Sequence, residues 1–68
     1  MGFEKKALEV VAKVIAQDDT AYFAYGTLFV PGISANQAAK IETALIDKFR
    51  CGIIVSRQSV AEFSFDFL

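Results

Sequence analysis

The sequence predicts an α+β domain in which two helices pack on one face of a small three-stranded mixed sheet, in the chain order αβαββ. Three observations carry this expectation. Residues 3–17 and the stretch from Ala35 to Phe49 repeat their apolar side chains with the period of a helix. Residues 60–67 alternate with the period of a strand, and residues 21–30 are rich in the aromatic and branched residues that favour strands.

All 68 residues are expected to form a single domain, 1–68. Ordering a chain of this size costs on the order of 100 kcal/mol, so its core must be dense. The material is present, since 54% of the residues are apolar and they include seven Phe and two Tyr.

In the first helix, 3–17, Phe3, Ala7, Leu8, Val10, Val11, Val14 and Ile15 share one broad arc, with Lys5, Lys6, Glu9, Lys13 and Gln17 opposite. Lys5–Glu9 and Glu9–Lys13 are four apart on the wet side and support the helix modestly. Gln17-Asp18-Asp19-Thr20 reads as a polar connection. Residues 21–30 follow as one strand, with Gly26 marking a bulge or a close approach. Pro31-Gly32 suits the two central positions of a type II turn.

The second helix opens on a capping box, Ser34 with Gln37, and Ile33 stands where a hydrophobic staple would. Ala35, Ala38, Ile41, Leu45, Ile46 and Phe49 form its apolar face, and Gly52 is placed as a left-handed cap. Ile53-Ile54-Val55-Ser56 is a short strand, and Phe63, Phe65 and Phe67 define one face of the last strand with Glu62, Ser64 and Asp66 on the other. The segment 57–59 between them has no Gly, Asn or Pro, so a hairpin and one long bent strand are both open. A strand–helix–strand connection should make strands 21–30 and 53–56 parallel through a right-handed crossover. The long terminal strand then lies between them, antiparallel to both.

The chemistry-bearing residues are few. The chain has no His and no Trp, which removes the commonest general base and metal ligand. With one Cys and no His, a structural zinc site within one chain is not expected. No phosphate loop, dinucleotide fingerprint, nucleophile elbow or EF-hand loop is present. Cys51 stands at the carboxyl end of a helix, where the dipole disfavours a thiolate, and reads as a small boundary residue. Asp18-Asp19 are too few ligands for calcium. No cofactor and no catalysis are therefore expected.

The net charge of −1 and the scattered basic residues argue against nucleic acid as a partner. No apolar run is long enough to span a membrane, Glu4 and Glu9 interrupt any signal segment, and Lys6 stands where myristoylation wants Ser or Thr. A lone thiol and no leader point to the cytoplasm.

What the chain has in surplus is apolar surface on one strand. In 22–30, Tyr22, Ala24, Leu28 and Val30 alternate with Phe23, Tyr25 and Phe29, so both faces are apolar and one helical layer covers only one. Glu42 falls inside the apolar arc of the second helix, where a carboxylate needs a partner. Tyr22, Phe23, Tyr25, Phe29 and Glu42 are the expected interface of a non-catalytic interaction module, a small accessory protein of the kind bacteria and their viruses encode. It is expected to pair with itself as a homodimer or higher oligomer and to bind another protein. The alternative is a platform on which single-stranded nucleic acid or a small ligand stacks. A site formed between subunits from Glu42, Asp66, Tyr25 and Arg57 is the third possibility.

Overall fold

The structure, a computed structural model, describes residues 2–15 and 21–68. The end of the expected first helix and the Asp18-Asp19 connection lie outside the described residues. The element order is αββαββ: α1 (Gly2–Ile15), β1 (Tyr22–Ala24), β2 (Thr27–Pro31), α2 (Ala35–Phe49), β3 (Ile53–Ser59) and β4 (Glu62–Phe67).

Helix α1 forms on the expected stripe. Ala7 and Val11, one turn apart, are fully buried, and Leu8, Val10, Val14 and Ile15 pack around them. Glu4 in the first turn and Lys13 in the last complement the helix dipole.

The first departure from expectation lies in 22–30, which is a hairpin rather than one strand. Tyr25 (φ 55°) and Gly26 (φ 77°) both take left-handed backbone. Positive φ at both central residues is the signature of the primed two-residue turn whose twist matches paired strands. Gly26 is thus a turn residue and not a bulge. The usual Asn or Asp before the Gly is replaced by Tyr, which made the segment look like continuous strand. Ahead of α2, Gly32 (φ 74°) has the positive φ that a type II turn requires.

Helix α2 opens as the sequence predicts. The Gln37 amide donates to Ser34 Oγ (3.3 Å) and the Ser34 amide to Gln37 Oε1 (3.0 Å). Buried Ile33 donates its amide to the Ala61 carbonyl (3.0 Å), which ties the start of α2 to the far hairpin. Ala38, Ile41 and Leu45 are buried and Phe49 half-buried, while Ala35 and Ile46 stay exposed at the margins. The left-handed cap is Arg50 (φ 57°) and not Gly52; its amide bonds the Ile46 carbonyl at 2.7 Å. A Cβ at Gly52 would stand 3.1 Å from Leu68 Cδ1, the end of an exposed side chain with room to shift.

Strands β3 and β4 form a hairpin, which settles the alternative left open. Its turn, Val60-Ala61, has no positive φ, and a register shift between Arg57 and Ser59 absorbs the mismatch. The Arg57 guanidinium donates to the Ser59 and Val60 carbonyls (3.3 and 2.9 Å), so a side chain supplies what turn residues lack.

The sheet order is β1-β2-β4-β3 with every neighbouring pair antiparallel. The terminal strand lies in the interior between β2 and β3, which run parallel to each other as expected. They never pair, however, so the sheet is antiparallel rather than mixed, and the extra hairpin strand makes it four-stranded. The core lies between one sheet face and the helices, where Leu28, Val30, Phe63 and Phe65 meet Ala7, Val11, Ala38, Ile41 and Leu45.

Candidate functional site

Strand register places the side chains. Because directly opposed residues share a face, Tyr22, Phe29, Ser64 and Ser56 form one row on the side away from the helices. Tyr22 stacks on Phe29 with ring centroids 5.3 Å apart and planes 11° from parallel. Tyr22 remains 46% exposed, so the stack presents a free aromatic surface.

Polar side chains fix this surface. The Tyr22 hydroxyl donates to Glu62 Oε2 at 3.2 Å, and Thr27 Oγ1 donates to Asp66 Oδ1. Ser64, the buried member of the row, accepts from Gln58 Nε2 (2.8 Å) and donates to the Ser56 carbonyl (3.4 Å). Desolvation pushes the Tyr22 phenol above its usual pKa, and the hydrogen bond and negative charge of Glu62 push it further. Both carboxylates, each half-buried, accept from hydroxyl groups.

The turn redistributes the expected interface residues. It brings Tyr22 and Phe29 together on the open face, although they fall on opposite faces of a straight strand. Phe23 points to the helical side, where Phe3 packs against Phe23, Phe49 and Phe67 at 5.8, 5.3 and 4.8 Å between centroids. Tyr25 occupies the hairpin tip with its side chain wholly exposed. Glu42 is half-buried on α2, on the other side of the sheet from Tyr22.

The Glu62, Ser64 and Asp66 row does border the open-face aromatics. Thr27 and Gln58 were not legible as members, because only the observed register brings them to Asp66 and Ser64. Glu42, Asp66, Tyr25 and Arg57 are not gathered within one protomer: Asp66 bonds Thr27 on the open face, Arg57 holds the β3–β4 turn, and Tyr25 stands at the hairpin tip.

A shallow depression at the end of α2 is lined by Thr43, Ile46, Asp47, Arg50, Cys51 and Gly52. Cys51 is half-buried there as a free thiol. Among the described residues no three Cys, Asp or Glu side chains are gathered as a metal site needs, and no helix is long and apolar enough to cross a membrane. Comparisons with protein-family models, with curated proteins and with solved structures return no match.

Proposed function

We propose that this chain is a small, non-catalytic protein-interaction module that works as a homo-oligomer in the cytoplasm, and that its β1–β2 hairpin meets the partner. One observation carries the proposal. Tyr25 is a wholly exposed aromatic in left-handed backbone, at the tip of the hairpin whose other end carries the stacked pair Tyr22–Phe29 on a sheet face that no described element covers. Left-handed backbone is costly for a bulky residue and is common where function requires it. Aromatic side chains also dominate the binding energy of protein interfaces. The free thiol of Cys51 suits a reducing compartment.

The test compares stability with binding. Tyr25→Asn should stabilise the fold by about 0.5–1 kcal/mol in denaturant melts, because Asn accepts positive φ more readily. The same substitution, combined with Tyr22→Ser, should remove the specific partner captured from source-cell extract. Capture of the same partner by the doubly substituted, folded protein would overturn this site.

The stacked pair also favours a second reading, a platform for single-stranded nucleic acid or a small aromatic ligand. Glu62 and Asp66 beside the pair oppose a phosphate backbone. Oligonucleotide binding at low salt that falls steeply as salt rises would favour this reading over the first.

A further inference from the structure

We infer that the chain dimerises by pairing β3 with β3 of a second copy, in an antiparallel register with Val55 opposite Val55. This rests on the homo-oligomer proposed above and assigns its surface. Among the described residues β3 is the outermost strand on its side of the sheet and spans Ile53–Ser59, whereas the other edge, β1, spans only Tyr22–Ala24. The Leu68 amide donates to the Gly52 carbonyl at 2.9 Å, which marks Gly52 opposite Leu68 as a hydrogen-bonded pair. In an antiparallel ladder such pairs alternate with non-bonded ones. Ile54 opposite Asp66 and Ser56 opposite Ser64 are therefore bonded pairs, and Ile53, Val55 and Arg57 lie between them. The backbone N–H and C=O of these three residues point outward from the sheet edge.

Natural edges of this length are normally shielded by Lys, Pro or a cover. β3 has neither Lys nor Pro, and its bulge begins only after Arg57. Ile54 is 48% exposed on the open face.

The strand is complementary to itself. With Val55 opposite Val55, Ile53 faces Arg57 of the other copy, so every outward residue meets another outward residue. The only charge on the strand, Arg57, then meets an Ile rather than its own like. On the open face Ile54 lies beside Ser56 of the other copy. The twofold axis is perpendicular to the sheet, which becomes continuous across both copies, with both Tyr22–Phe29 stacks on the same side.

The amide of Val55 points away from β4, so Val55→Pro removes the two central bonds of the dimer, one donated by each copy, and none of the protomer's ladder. Light scattering at tens of micromolar should show a wild-type dimer, and the variant should dissociate with an affinity weaker by about tenfold or more. A second measurement does not depend on that variant folding. Ile54→Cys and Ser56→Cys, each in a Cys51→Ser background, should form a mixed disulfide when combined and oxidised, far more than either alone. Non-bonded antiparallel pairs stand about 4.5 Å apart at Cα, within disulfide reach. A wild-type dimer that survives Val55→Pro, or that gives no mixed disulfide, overturns the edge pairing and leaves the homo-oligomer proposal standing. A wild-type monomer that gives no mixed disulfide overturns both, including the case in which a foreign strand occupies this edge.

Discussion

Tyr22 shows how one side chain can report on the open face. Its phenol stacks on Phe29 and donates to Glu62, and folding raises its pKa through desolvation first and Glu62 second. A group whose pKa rises on folding contributes stability below its unfolded value and loses it as pH climbs through the folded value. The Tyr22–Glu62 contribution is therefore intact at neutral pH and disappears in the alkaline range, where a phenolate would face a carboxylate. Glu62→Gln removes the charge but keeps an acceptor. Phenolate absorbance should then show the high-titrating tyrosine move down in pH; an unmoved curve would mean that Glu62 does not influence it. None of this coupling is legible in sequence, because Tyr22 and Glu62 share no strand and meet only through the observed register. The acidic row itself was legible from strict alternation in 62–67.

At the scale of elements, α2 was the most legible part of the chain and β1–β2 the least. Both outcomes come from turn and cap chemistry. Ser34 and Gln37 are the residue types that satisfy free amides at a helix start, so their spacing located α2 without tertiary information. Ser34→Ala should cost about 1 kcal/mol, read as a lower denaturant midpoint with unchanged slope. At the other end, the left-handed cap fell on Arg50 although Gly52 lies two residues on. Arg50→Gly should therefore stabilise by up to about 1 kcal/mol, since glycine takes positive φ without a Cβ penalty. A destabilised Arg50→Gly would mean that the Arg50 side chain contributes more than its backbone strain costs. The hairpin escaped detection for the same kind of reason: Tyr25 supplies the left-handed position normally given by Asn, Asp or Gly, so no local signal separated β1 from β2.

For the molecule as a whole, periodicity was enough to place most of the core. Phe63 and Phe65 alternate on the strand that sits inside the sheet, and the apolar stripes of α1 and α2 cover that face; relative length did not decide that place, since the edge strand β3 runs to Ser59, beyond the expected 53–56, and is longer than β4. The surface that faces outward depended on a single turn, and the edge available to a second copy depended on how far β3 extends. Edge pairing would link folding to concentration, because the dimer unfolds to two chains and mass action favours it as concentration rises. For a domain of this size a tenfold rise in concentration should raise the melting temperature of a tight dimer by about 3–6 °C. Val55→Pro should melt at one temperature throughout that range, since its protomer ladder is intact but its edge lacks the central donor. Wild type and Val55→Pro melting with the same slope against concentration would show that the stabilising contact lies elsewhere. A slope confined to the wild type would place both aromatic stacks on one face of one continuous sheet. Two linked sites on that face would engage a partner bearing two epitopes more tightly than either site alone.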